Sequence, residues 1–351
     1  MIAAAMQSGS RFFDRVWYGM SVWQRILMPL SWLFAKLTEA RRRLYRSGVL
    51  KSRNAPVPVV VVGNITAGGT GKTPATLWLA DSLKVRGLKP GIVSRGYGGR
   101  VGRFPLHVMD TSDARTVGDE PLLLARRIVC PVAVHPDRVA AASLLAEMGC
   151  DVVIADDGLQ HYRLNRQFEI AVVDAARGFG NGRLLPAGPL REPVSRLEEV
   201  DRVLLKDQDR SPVPAELGAG SAGVTPFRLE AGAVQSLHGG RKLAIEEFDG
   251  QTVHAVAGIG NPESFFDLLR GHGLRVVPHA FGDHARFSAS DLDFGDEGPI
   301  IMTEKDAVRC ERVAPHNSWY VTVDVAVEDS TDLAWLDDLA RRLRESGGPR
   351  P

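Results

Sequence analysis

Lys72 and Thr73 close a glycine-rich run, Thr66-Ala67-Gly68-Gly69-Thr70-Gly71, whose composition suits the grip on a triphosphate. Backbone N–H groups in such a turn and at a helix N-terminus converge on phosphate oxygens. Only small residues let the backbone come that close, which is a reason for Gly68, Gly69 and Gly71. The ammonium of Lys72 would reach the β- and γ-phosphates as a point charge, and the Thr73 hydroxyl would ligate Mg²⁺. Thr66 stands where the usual GxxxxGK[ST] pattern has its first glycine. A glycine-rich turn of no special purpose would account for the glycines, but not for a Lys-Thr pair at this offset behind a strand. The residues expected at the nucleotide are therefore Thr66, Gly68, Gly69, Thr70, Gly71, Lys72 and Thr73.

Further charged groups fall just past apolar runs. Asp156 and Asp157 follow Val152-Val153-Ile154-Ala155, where an aspartate holds the Mg²⁺ that bridges the phosphates. The same pair could instead support an Asp-Gly turn; which of the two would touch a metal is open. Asp119 opens a helical pattern and reads as an N-cap, which does not exclude chemistry at that edge. Arg138 and Arg191 are candidates for charge on a transferring phosphoryl group or an anionic substrate. His284, in Phe281-Gly282-Asp283-His284, lies in the second half, where a lone histidine is more often structural.

These groups need a frame, and the pattern supplies one. Val57 to Val62 is apolar throughout and feeds the glycine turn, after which Pro74 to Val85 has helical spacing. Short apolar strands are expected at 90–94, 131–134, 151–155, 169–174 and 202–206, with helices at 122–128 and 139–148 between them. Such alternation marks a parallel α/β sheet covered by helices on both faces, and ligands bind beyond the carboxyl ends of its strands. The fold class read here is a P-loop NTPase-type parallel sheet, with a smaller C-terminal α/β domain and an N-terminal membrane-associated helix. Residues 211–240 shift to Gly, Ala, Pro and Ser, an expected boundary. A second strand–turn–helix follows at 252–271, with strands at 299–302 and 319–325. The division expected is an arm over 1–54, a P-loop domain over 55–235, which the resemblance given below makes a kinase domain, and a C-terminal domain over 236–351.

With 351 residues, 44% apolar and 24% charged, the chain can bury a large core, and extensive disorder is excluded. Net charge is +1, yet residues 11–53 hold ten Lys/Arg against two acids. Three cysteines without paired or metal-type spacing fit a reducing compartment, as core residues. The stretch from Phe12 to Leu37 is rich in Trp, Tyr, Leu and Ile, but its longest uncharged run, Ile26 to Ala35, covers roughly 15 Å, half of a ~30 Å hydrocarbon core. A helix lying in or partly entering the interface is expected, its tryptophans at headgroup level and Arg41-Arg42-Arg43 with Arg46 facing anionic lipid. The same helix could pack on the main domain with another face.

Taken together, GNITAGGTGKTP, SRGYGG, VGDEP, HPDR, DDGLQHYRLNRQFEI, VVDAARGFGNGRLLPAGPLREP, GIGNPESF, FGDH and TEKDAVR, in this order, resemble the tetraacyldisaccharide 4'-kinases, a resemblance that runs through most of the chain. It implies ATP- and Mg²⁺-dependent phosphorylation of the 4'-hydroxyl of a tetraacylated glucosamine disaccharide 1-phosphate, a lipid A precursor. It implies work at the cytoplasmic face of the bacterial inner membrane, with no nucleic acid and no obligate protein partner. By motif, Asp119 resembles the catalytic base, with His284 as its partner and Lys72 as the catalytic lysine. Where the family commonly has Asp-His-His this chain has Asp283-His284-Ala285, so the pairing rests on His284 alone. Thr73, Asp156 and Asp157 match the metal site, and Arg138, Gln160, His161, Arg191 and Glu192 match residues around the phosphates or disaccharide. The rival classes are a P-loop switch, for which no Asn-Lys-x-Asp guanine motif is present, a membrane-associated ATPase without a sugar acceptor, and a cytosolic small-metabolite kinase or ligase, for which the apolar arm would be surplus.

Overall fold

The computed structural model describes residues 12–207, 214, 217, 223–283, 285–328 and 333–346. Contacts divide the chain into two compact units. One comprises Arg15–Arg228 with Val325–Pro351, the other Met1–Asp14 with Leu229–Asp324. This differs from the division expected from composition: the break falls at 228/229, and the last stretch of chain belongs with the P-loop unit. Trp335 is the reason. Its ring stacks on Phe168 with centroids 6.0 Å apart and packs 6.3 Å from Trp78.

The larger unit is a mostly parallel sheet flanked by helices. Its strands are β1 (Val59–Gly63), β2 (Pro90–Ser94), β3 (Leu106–Val108), β4 (Val132–Val134), β5 (Val152–Ala155), β6 (Phe168–Asp174), β7 (Arg202–Lys206) and the start of β8 (Gly223–Ser236). They lie in the order β8-β7-β6-β1-β5-β2-β4-β3, all parallel except β3 on β4. β1 sits between β5 and β6, so Val60 pairs with both Ile154 and Phe168. Every residue of β1 is buried, as an interior strand covered on both faces must be. The helices are α1 (Trp23–Arg46), α2 (Lys72–Val85), the single turn α3 (Ala114–Val117), α4 (Asp119–Arg127) and α5 (Arg138–Glu147). α2 buries Leu79 and Leu83 completely, each worth about 2 kcal/mol of apolar burial.

The smaller unit holds β9 (Lys242–Leu243), β10 (Thr252–Ala257), β11 (Arg275–Ala280), β12 (Ile300–Thr303) and β13 (Ser318–Ala326), with helices α6 (Pro262–Gly271) and α7 (Glu304–Cys310). Its parallel order is β11-β10-β12-β13, with β8 beside β13. Helix α8 (Ala334–Ser346) closes the described chain. The Gly/Ala/Pro/Ser stretch expected to be a boundary thus contains a strand of 14 residues, β8. All three cysteines are free; Cys150 and Cys310 are buried and Cys130 half-buried.

The described part of the arm holds a short helical segment over 12–18 and then a 24-residue helix, α1, running through Pro29. One face is tied to the P-loop unit: Ser31 donates to the Leu184 carbonyl at 2.7 Å, and Trp17, just ahead of the helix, donates to the Pro186 carbonyl at 3.0 Å. The other face exposes Trp23, Ile26, Leu30, Trp32, Leu33 and Leu37, with Trp32 at 65%. No helix among the described residues is long and apolar enough to cross a membrane. Of the four arginines expected to face outward, Arg41, Arg43 and Arg46 are exposed and only Arg42 is not. Arg42 is buried on Glu199, Arg46 also reaches Glu199, and Arg43 pairs with Glu39 at 2.7 Å. Arg41 donates to the Gln160 carbonyl and lies over the rings of Tyr45 and Tyr162.

Candidate active site

β1 ends at Gly63 and α2 begins at Lys72, leaving eight residues to turn the chain between them. Gly68 at φ 110° and Gly71 at φ 88° take the left-handed region that only glycine enters without strain. Gly71 is the N-cap of α2 and has no side chain to cover the first-turn N–H groups, which a helix leaves without intrahelical partners. The loop is braced from beneath. Ala67 N–H donates to the Pro189 carbonyl and Arg191 N–H to the Ile65 carbonyl, both at 2.7 Å, while the Asn64 amide donates to the Thr70 hydroxyl at 3.1 Å. Thr66 and Thr70 are buried; Lys72 and Thr73 are half-buried on the first turn of α2.

Past β5, Asp156 and Asp157 have opposite environments. Asp157 has φ 47°, a strained backbone for a non-glycine. Its carboxylate meets Arg191 Nη1 at 3.0 Å to both oxygens and Lys72 Nζ at 3.7 Å. Burial opposes its charge, but Lys72, Arg191 and Arg138 outweigh that and bring the carboxyl down to about 2. Asp156 is fully buried and accepts from the Thr76 hydroxyl at 3.1 Å. Burial first, then the charges of Glu120 and Asp157, raise it to about 6, against the pull of Lys72 and Arg138. Two adjacent carboxylates are thus pushed apart, one held down by its cationic neighbours and the other raised by burial.

Arg138, 4% exposed, donates from Nη2 to the Asp157 carbonyl at 3.0 Å, while its Nε and Nη1 have no partner among the described residues. Burial lowers its pKa, with Asp157 and Asp156 acting the other way. Gln160 donates to the Asn64 carbonyl at 3.1 Å and to Glu192 at 2.8 Å. Glu192, wholly buried, also accepts from the Tyr162 hydroxyl. Both residues therefore brace the base of the phosphate loop. His161 is half-buried, and burial together with Arg138, Arg166 and Arg41 lowers it to about 4, so it is neutral near pH 7. Asp119 is the first residue of α4, half-buried after Gly118 at φ 93°. His284 lies outside the described residues.

The structure thus gathers Lys72, Asp156, Asp157, Arg138 and Arg191 at the carboxyl ends of β1 and β5. Three contributors escaped the sequence reading. Glu120 acts on Asp156 through its charge, Tyr162 holds Glu192, and Arg177 reaches the loop at Gly68. Glu120 and Tyr162 stood inside quoted motifs, but nothing in their spacing pointed to these contacts.

Comparison with known proteins gives the same direction. The model of the family described as Tetraacyldisaccharide-1-P 4'-kinase matches residues 23–341. A protein named tetraacyldisaccharide 4'-kinase from Alkalilimnicola ehrlichii is 52% identical over 317 residues, covering 90% of this chain and 92% of that one. Its namesake from Stenotrophomonas maltophilia is 50% identical over 314 residues, covering 89% and 91%. Among solved structures, LpxK from Aquifex aeolicus, crystallised in complex with ATP, superposes with a TM-score of 0.76 at 28% identity, covering 92% of this chain and 99% of that one.

Proposed function

This chain belongs to the tetraacyldisaccharide 4'-kinase family, and from that premise we propose that it transfers the γ-phosphoryl group of ATP to the 4'-hydroxyl of a tetraacylated glucosamine disaccharide 1-phosphate. The observation that carries the reading is the convergence of Lys72, Arg138 and Arg191 on the Asp156-Asp157 corner beside an uncapped helix start. Phosphoryl transfer needs positioning and charge neutralisation more than covalent help. The loop from Thr66 to Thr73 receives the triphosphate, with Lys72 toward the β- and γ-phosphates. The acceptor 4'-oxygen gives its proton to Asp119 as its bond to phosphorus forms, and the bond from the γ-phosphorus to the bridging oxygen breaks to release ADP. The pairing of His284 with Asp119 is proposed from the motif. Gln160 and Glu192 position the loop, and neutral His161 with Arg191 faces the acceptor side.

The donor set fits Mg²⁺. Carboxylate and hydroxyl oxygens from Asp156, Asp157 and Thr73, completed by phosphate and water, are what this ion takes. A cation would also relieve the uncompensated burial at Asp156. Those three residues would hold the ion, which would supply charge neutralisation at the phosphates.

The exposed apolar face of α1 supports a place on the cytoplasmic face of the inner membrane, where the helix lies in the interface rather than crossing it. Thin-layer chromatography with γ-labelled ATP and the acylated disaccharide tests the function. Label in an organic-extractable glycolipid is expected; label only in inorganic phosphate would leave a membrane-associated ATPase, and ATP turnover indifferent to the disaccharide would end the lipid-kinase reading.

A further inference from the structure

We propose that Arg177 is a further catalytic residue, an arginine supplied from within the chain that contacts the phosphoryl group in transfer. The inference rests on the kinase reading above. Arg177 lies in the turn after β6, far from the phosphate loop in sequence. A Cβ built on Gly68 would lie 3.5 Å from Arg177 Nη1, so the guanidinium sits against the apex of that loop. That is ordinary contact distance, so the guanidinium adjoins the loop at this residue.

Its base is rigid. Asp174, buried and ion-paired with Lys206 at 2.7 Å, accepts from the backbone N–H groups of Ala176 and Arg177. Further along the same turn, Asn181 N–H donates to the Trp17 carbonyl at 2.9 Å. The guanidinium itself lies 4.3 Å from the centroid of the Tyr18 ring, a cation–π contact that aims the side chain. Electrostatics supply the reason for the placement. With Lys72 on the same loop, Arg177 adds to a positive charge that suits a polyanionic ligand. Arginine also offers a planar fork that spans two phosphate oxygens, which lysine lacks. An arginine in this role neutralises charge as it spreads over the equatorial oxygens of the transferring group.

The test compares wild type with Arg177→Ala and Arg177→Lys in two assays. In turnover with the acylated disaccharide, Arg177→Ala should lose about 10³-fold in kcat, with KM for ATP changed less than about threefold. Lysine should fail to restore it, and added guanidinium should restore part. In binding without acceptor, the alanine variant should lose affinity for Mg²⁺-ADP with aluminium fluoride but keep that for ADP. Tyr18→Ala should show a smaller kcat loss, about three- to thirty-fold, and Tyr18→Phe almost none. Turnover of Arg177→Ala within tenfold of wild type overturns the proposal. So does equal loss of affinity for ADP and its aluminium fluoride complex, or recovery by lysine together with a recovered unfolding temperature. The binding assay needs no acceptor. A wild type that phosphorylates no disaccharide would therefore defeat the kinase reading while Arg177 is still judged on its own.

Discussion

The chain makes a strand, a glycine turn and a helix twice, and the two differ in what occupies the turn. In the larger unit β1 passes through residues 64–71 into α2, and the charges gathered there are Lys72, Arg138 and Arg191. In the smaller unit β10 passes through Gly258-Ile259-Gly260-Asn261 into α6. There the Gly258 N–H already donates to Asp306 at 2.8 Å, Arg309 donates to the Gly258 carbonyl at 3.0 Å, and Pro262 at the helix start has no N–H at all. Asp306 is wholly buried and meets the Thr303 hydroxyl as well. At the second turn Asp306 already takes the Gly258 N–H and is itself paired with Arg309, whereas at the first Lys72, Arg138 and Arg191 outnumber the ionised Asp157. Topology alone does not make a phosphate site: the partners already engaged at the turn, and the charge left over, distinguish the two.

That contrast can be broken at either end. Lys72→Ala should lower turnover by about 10³-fold or more, with the unfolding free energy changed by less than ~1 kcal/mol; urea denaturation beside the labelled-phosphate assay checks both. Asp119→Ala should cost about 10²- to 10⁴-fold in kcat, with nucleotide affinity from calorimetry intact. A parallel loss of affinity would move Asp119 from chemistry to structure. Asp306→Ala should do the reverse of Lys72→Ala, costing about 3 kcal/mol of stability by leaving Gly258 N–H and Arg309 without their buried partner, while ATP-analogue affinity is unchanged.

A finer test lies in pH. Asp156 sits at about 6 when folded against an ordinary 3.8, so between these values the folded chain holds a proton that the unfolded chain has lost. Its contribution therefore favours folding at low pH and is lost as pH rises from about 4 through 6, by roughly 3 kcal/mol at most. Asp156→Asn should remove that slope from the denaturation midpoints. Asp157, held down to about 2, acts oppositely: its stabilisation is present above the ordinary value and fades as pH falls toward 2. The smallest expected effect is on the arm, where Leu33→Glu should reduce binding to anionic vesicles about tenfold without altering turnover of a detergent-dispersed acceptor. An unchanged bound fraction would make α1 a packing element only.

Much of this was legible in the sequence. β2, β7 and β10 were read to the residue, and β1 and β5 within two residues, because interior strands read as unbroken apolar runs between turn residues. β8 was not, since a strand written Gly-Val-Thr-Pro-Phe-Arg-Leu-Glu-Ala-Gly-Ala-Val-Gln-Ser carries the small and proline residues of a linker, and its pairing with β7 and β13 comes from distant segments. β11, an edge strand containing Pro278, was hidden in the same way. At the site, local motifs pointed to Lys72, Asp156, Asp157, Arg138 and Arg191. Arg177 and the inward turn of Arg42 depend on contacts with segments far along the chain, Gly68 for one and Glu199 for the other, which spacing does not report. The second glycine turn shares the strand–turn–helix pattern but lacks the Lys-Thr pair, and the Asp306 that takes its Gly258 N–H lies 48 residues further along the chain.

Hydrogen exchange with and without a non-hydrolysable ATP analogue and Mg²⁺ bears most directly on the central claim, because it reads the backbone N–H groups of both turns in one experiment. The account predicts protection gained across residues 68–73 and none across 258–263. Equal protection of both turns, or no change at 68–73, would contradict it.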